Sequence, residues 1–173
     1  GLVISSGLWV NQIQLLEYQF IIAALIIVFF IGIKDDILII APITKFSGQT
    51  LACLILIVWG GIRITNFHGF FGIHEVNYFI SFSVTMLTIL VIINGFNFID
   101  GVDGLSASIG IVTSSTFAVF FYHTEQIQYV ILSLALVGSL FAFFLFNVFG
   151  KKNKIFMGDT GSLIIGLILS VLV

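Results

Sequence analysis

The run "YFISFSVTMLTILVII" at residues 78–93 is sixteen nearly unbroken apolar residues, and it leads straight into "NGFNFIDGVDGL" at 94–105. A stretch this long and free of charge has few folded homes. Its hydrophobicity is continuous instead of alternating, which predicts a membrane-crossing helix and not a strand of a transmembrane barrel. The rest of the chain agrees: 60% of residues are hydrophobic, 8% are charged, and there are 20 phenylalanines and one proline. Soluble domains carry about a quarter charged residues, so a soluble globular fold is excluded. The predicted class is an all-α, polytopic transmembrane bundle.

About six spans are predicted, at residues 16–33, 43–62, 78–94, 105–122, 127–147 and 161–173. Pro42 suits the first turn of the second helix, where its missing N–H costs nothing. The fourth span is rich in small and hydroxylated residues ("SASIGIVTSST", 106–116), which favours close helix packing over lipid contact. No repeat or linker interrupts the chain, so residues 1–173 read as one domain. The last run is shorter than the ~20 residues a bilayer requires, and no signal pattern precedes the first. The chain is therefore expected to be a catalytic-core fragment. Its lone cysteine, Cys53, excludes a disulfide framework, and no basic patch points to nucleic acid.

Alternating spans divide the connections between two sides. Lys34, Lys45, Lys151, Lys152 and Lys154 fall on or beside one, and Arg63 on the other, so the first is expected to be cytoplasmic. Asp35, Asp36, Asp100, Asp103 and Asp159 share that side, whereas Glu17, Glu75, Glu125 and all three histidines lie opposite. Polar chemistry is thus expected at the cytoplasmic face, carried by aspartate, lysine and asparagine.

Three loops concentrate it. In "GIKDDILIIAPITKFSGQ" (32–49), adjacent carboxylates repel one another unless a cation lies nearby. Lys45 follows at the next helix start, placed either to hold a phosphate or to snorkel to the interface. In 94–105, Asn94, Asn97, Asp100 and Asp103 recur every third residue, broadly on one face if the helix continues. Amides at this depth tend to face a cavity, and they offer both donors and acceptors to a nucleobase or sugar. The alternative is a capped helix, with Asp100 or Asp103 as N-cap of the fourth span. In "NVFGKKNKIFMGDTGS" (147–162), Asp159, Thr160 and Ser162 stand at a helix start, suited to phosphate or to plain capping. Oxygen ligands without His or Cys select a hard cation, Mg²⁺ where phosphates complete the shell. The expectation is magnesium-dependent transfer of a phosphate-containing group. An ion-coupled transporter with aspartate cation sites is the alternative, although such sites usually lie near the bilayer midplane. An intramembrane aspartyl protease would need two aspartates sharing a proton within the membrane.

In order and spacing, "KDDILIIAPITKFSGQ", "NGFNFIDGVDGLSA" and "KIFMGDTGSL" resemble the signature regions of polyprenyl-phosphate N-acetylhexosamine-1-phosphate transferases, glycosyltransferase family 4. The branch of undecaprenyl-phosphate GlcNAc-1-phosphate transferases looks nearer, with phospho-MurNAc-pentapeptide transferases as cousins. The resemblance implies transfer of GlcNAc-1-phosphate from UDP-GlcNAc to undecaprenyl phosphate with release of UMP, in cell-envelope polysaccharide synthesis. It implies a multi-pass protein of the bacterial cytoplasmic membrane with its site facing the cytoplasm. Mg²⁺ would be the cofactor, with Mn²⁺ as a substitute. UDP-N-acetylhexosamine, polyprenyl phosphate and the membrane would be the partners, with a homodimer allowed. Asp159 would be the main metal ligand and Asp36 a supporting metal or phosphate residue. Asp35 would act as base or organiser of the lipid phosphate, and Lys45 would contact phosphate. Asn94, Asn97, Asp100, Asp103 and Asn147 would line the nucleotide pocket, and Phe156 would stack on uracil. The family's N-terminal basic/His motif and C-terminal histidine-rich loop have no counterpart here, and "GKKN" (150–153) replaces the usual Pro-Pro-Ala. Weak or no turnover is therefore expected of these 173 residues alone.

Overall fold

The computed structural model describes residues 15–38, 40–69, 72, 74–151 and 153–173, with side chains from residue 18 onward. Lys152 and the side chain of Glu17, both used above to judge sidedness, lie outside these limits. The described residues form six helices and no strand: α1 (Leu15–Leu38), α2 (Pro42–Leu54), α3 (Tyr78–Ile99), α4 (Leu105–His123), α5 (Ile127–Phe149) and α6 (Gly158–Leu172). A π-helical turn, Ile55–Trp59, extends α2. By length and apolarity, α2 with its π turn, α3, α4 and α5 can each cross a bilayer, while α6 is shorter. Phe98, Phe79, Val112, Leu87 and Phe30 are among many large apolar side chains left on the surface. Exposure on that scale belongs to lipid, not water.

α6 is the hub. Its residues Leu163 to Leu172 are buried apart from Ile164, and it packs against α1 on one side and α3 on the other. Glycines allow both approaches. A Cβ on Gly32 of α1 would lie 2.4 Å from Thr160 Cα, and one on Gly166 of α6 would lie 2.7 Å from Ile93 Cα of α3. Such close backbone contact is how membrane helices gain dispersion energy where lipid already satisfies hydrophobicity. α4 and α5 pair with each other and meet the other helices far less. Buried Ser106, Ala107, Gly110 and Ser114 lie on α4, as its small-residue composition predicts.

Helix ends differ from expectation in ways that matter to the site. α1 continues five residues past its predicted end, so Asp35 and Asp36 occupy its last turns and not a loop. α3 continues to Ile99, carrying Asn94 and Asn97 as helical residues. α6 starts at Gly158, three residues early, which places Asp159 in its first turn. At the other end, Asn77 caps α3 by accepting Ile80 N–H at 3.0 Å. The extended segment before it is pinned there, with Ile64 N–H donating to Thr85 Oγ1 at 2.9 Å and Ser81 Oγ donating to Ile64 O at 2.7 Å.

Candidate active site

Four of the residues singled out from sequence meet on one ammonium group. Lys45, near the start of α2, places its Nζ 2.8 Å from Asp35 Oδ2, 2.6 Å from Asp159 Oδ1 and 3.1 Å from Asn97 Oδ1. These partners come from the C-terminal end of α1, the first turn of α6 and the last two turns of α3. Asn97 Nδ2 also donates to Asp159 Oδ1, and to Ser162 Oγ at 2.9 Å. The cluster is half sheltered: side-chain exposure is 10% for Asp35, 16% for Lys45 and 34% for Asp159. Lys45 beside Asp35 pulls that carboxyl below its ordinary value, against the opposing effect of burial. The other Asp35 oxygen accepts Ile40 N–H at 3.0 Å, tying the α1–α2 turn to the same carboxylate.

Asp36 does something else. Its Oδ1 accepts Asp159 N–H at 2.8 Å, while its Oδ2 accepts Thr160 N–H at 3.1 Å and Thr160 Oγ1–H at 2.5 Å. One helix thus caps another across the bundle, meeting the free N–H groups of α6 with a carboxylate at its positive end. A local side-chain cap from Asp159 or Thr160, the alternative seen in sequence, is not formed. Gly158 takes φ +66°, which favours glycine in the "MGD" sequence, and a Cβ there would crowd Asp36 Oδ1 at 3.0 Å.

The second loop is built differently from the expected continuous wall. Asn94 pairs reciprocally with Gln49 of α2, its Nδ2 donating at 2.8 Å and its Oδ1 accepting at 3.3 Å. Gln49 is fully buried and is not among the residues the motifs single out; a glutamine one turn beyond Lys45 on an apolar helix is the signal that finds it. Ser162, the hydroxyl partner of Asn97, is likewise buried. Asp100 accepts Ser106 Oγ–H at 2.7 Å, and burial raises its pKa more than that hydrogen bond lowers it. Neither Asp100 nor Asp103 caps α4: the N-cap is Gly104, with φ +71° and no side-chain cap. Asp103 instead pairs with Lys154 at 2.5 Å.

Asn147, expected to contact the nucleotide, is buried and spends its amide internally. Its Oδ1 accepts Gly104 N–H at 2.7 Å and its Nδ2 donates to Ile155 O at 2.8 Å. It straps the α3–α4 loop to the α5–α6 loop, and the Asp103–Lys154 pair repeats that link at the surface. Phe156 is 75% exposed, with Lys154 Nζ 5.3 Å from its ring centroid. The sequence-predicted residues gather at one end of the bundle in two groups, with Asn94 apart from both in its pair with Gln49. Asp35, Lys45, Asn97 and Asp159 form the charged centre, with Asp36 behind it. Asp103, Asn147 and Phe156 form a second cluster between the two loops, while Asp100, bonded to Ser106, lies near enough to Asp159 to feel its charge.

The donor chemistry of the centre is all oxygen. Among the described residues no three His, Cys, Asp or Glu side chains gather as a metal cage. A phosphate-transfer Mg²⁺ site needs only one or two carboxylates, and the Asp159 carboxylate beside the Asn97 amide oxygen offers donors of that kind. The three oxygens already surrounding a cation, Lys45 Nζ, are the observation that they fit one.

Over residues 18–173 the chain matches the family described as glycosyl transferase family 4. It is 32% identical, over 98% of its length, to a probable undecaprenyl-phosphate N-acetylglucosaminyl 1-phosphate transferase of Bacillus subtilis, covering 46% of that protein. It is 31% identical, over 81% of its length, to a decaprenyl-phosphate N-acetylglucosaminephosphotransferase of Mycobacterium leprae, covering 37%. A phospho-N-acetylmuramoyl-pentapeptide-transferase of Streptococcus uberis is 34% identical over 87% of the chain, which covers 47% of it. The chain spans less than half the length of each of these relatives.

Proposed function

The chain belongs to glycosyl transferase family 4, and from that premise we propose that it serves the transfer of an N-acetylhexosamine 1-phosphate from a UDP-sugar to a polyprenyl phosphate. GlcNAc is the first candidate for the sugar, on the names of two of the three relatives above. The observation that carries the reading is the convergence of Asp35, Lys45, Asn97 and Asp159 at one end of membrane helices. The lysine bias of that end supports a cytoplasmic orientation, with the bacterial cytoplasmic membrane as the proposed location.

In this reaction an oxygen of the lipid phosphate attacks the sugar-bearing phosphorus of the donor. The bond between the two donor phosphates breaks, UMP leaves, and a lipid-linked pyrophosphate sugar forms. Charge neutralisation and in-line positioning dominate such steps. Mg²⁺, when bound, would supply a Lewis acid to the pyrophosphate oxygens, held by Asp159 and Asn97. Asp36 holds the α6 N-terminus and so fixes Asp159 from behind. A lipid phosphate is already largely ionised near pH 7, so Asp35 has no proton it must remove. Its role is to position Lys45, whose ammonium is within reach of an arriving phosphate. Asp100 and the exposed Phe156 lie at the same end and suit the uridine.

An ion-coupled transporter would place its cation groups near the middle of interrupted helices. Here the carboxylates stand in the last turns of α1 and the first turn of α6.

The test uses membranes in which the protein is expressed in its natural sequence context, with labelled UDP-GlcNAc, polyprenyl phosphate and Mg²⁺. The expected result is a labelled lipid and released UMP, both abolished by EDTA. D159N is expected to reduce product by about 100-fold or more, the scale on which a lost electrostatic stabiliser acts. Undiminished product from D159N would overturn the assignment of the centre.

A further inference from the structure

Lys45 is an unusual occupant for its position. It sits one turn into α2, where the helix dipole is positive and a cation is disfavoured. Its side chain is largely sheltered, which further disfavours the charge. What holds it is the set of oxygens at 2.6–3.1 Å from Asp35, Asn97 and Asp159. These are also the oxygens the chain would offer to a divalent ion. A metal oxygen distance is about 2.0–2.1 Å for Mg²⁺, so an ion on Asp159 Oδ1 and Asn97 Oδ1 would press directly on the ammonium that now shares both.

We propose that Lys45 is a resident counter-ion that competes with the divalent metal for Asp159 and Asn97. The inference rests on the metal assignment made above and goes beyond it. Without substrate, Lys45 neutralises the paired carboxylates and keeps the empty site from holding metal tightly. A donor diphosphate brings oxygens that can accept the ammonium and leave Asp159 and Asn97 to the metal. Lys45 then has two successive partners, a carboxylate before the donor arrives and a phosphate after.

The experiment measures Mn²⁺ binding directly, by loss of the free-ion EPR signal on titration into purified protein in detergent, with no substrate present. K45Q removes the charge and keeps a polar side chain, and it is expected to bind Mn²⁺ roughly tenfold tighter or more than wild type, since a unit charge at this range weighs heavily on a sheltered site. K45M carries the same expectation and serves if K45Q does not fold, as judged by circular dichroism and size exclusion. K45R retains the charge and is expected to stay within a few-fold of wild type. D159N is expected to lose binding in either background. Equal affinity in wild type and K45Q, or K45R binding as tightly as K45Q, would overturn the competition and leave the metal assignment standing. Absence of Mn²⁺ binding from both wild type and K45Q would remove the metal assignment and the competition with it.

Discussion

Asp36→Ala strips three hydrogen bonds from the start of α6, those from Asp159 N–H, Thr160 N–H and Thr160 Oγ1. Loss of a helix cap costs about 0.5–2 kcal/mol. Loss of the carboxylate from the positive end of the dipole adds about 0.3–1 kcal/mol at an exposed site. Local opening of the first turn of α6 should therefore become easier by about 1–3 kcal/mol, or roughly 5- to 150-fold in the opening equilibrium. Hydrogen exchange followed by mass spectrometry reads this on a peptide spanning residues 158–162, with a peptide from the middle of α3 as the reference for global unfolding. D36N keeps an acceptor and loses the charge, so its effect should be smaller, about the dipole contribution alone. Transfer activity should fall with the exchange change, because Asp159 is carried on the loosened turn. Exchange at 158–162 as slow in D36A as in wild type would refute the cross-helix cap and the positioning role built on it.

Asn147→Leu leaves the Gly104 N–H and the Ile155 carbonyl without their partner; the Gly104 group is buried, the carbonyl belongs to an exposed residue, and at about 1–3 kcal/mol for one buried unpaired group stability in detergent melts should drop by about 1–3 kcal/mol. D103N removes a surface ion pair from the same two loops and should cost at most about 1 kcal/mol. The acid limb should carry opposite signatures from two aspartates. Asp35 has a folded pKa below its unfolded value of 3.8, so its stabilising contribution is present above that value and is lost as pH falls through the lowered one. Asp100 has a folded pKa above 3.8, so its ionisation erodes stability as pH rises from 3.8 through the raised value. Melting temperature against pH should fall less steeply on acidification in D35N than in wild type. In D100N the loss on raising the pH through that window should disappear.

Residue order alone dictates the solvent, the fold class and the end of the bundle where the polar groups gather. Apolar runs the length of a bilayer have no other folded use, and backbone groups in lipid must be satisfied within helices. The Asp-Asp, Asn-x-x-Asn and Gly-Asp-Thr-Gly motifs were legible because polar groups at the end of such runs are too costly to be incidental. Their pairing was not legible. Asp35 and Asp36 are neighbours in the chain yet project from α1 toward different targets, Lys45 and the α6 N-terminus. The rotation of α1 against α6, set where Gly32 meets Thr160, decides which carboxylate reaches which. Asn147 and Asn97 are both asparagines in signature regions, yet one is a buried strap between loops and the other faces the charged centre. A side chain's chemistry is written in its residue type. Whether it faces a ligand or a neighbouring backbone depends on which helix ends are brought within hydrogen-bonding reach, and only the packing of α1, α2, α3 and α6 around one another supplies that.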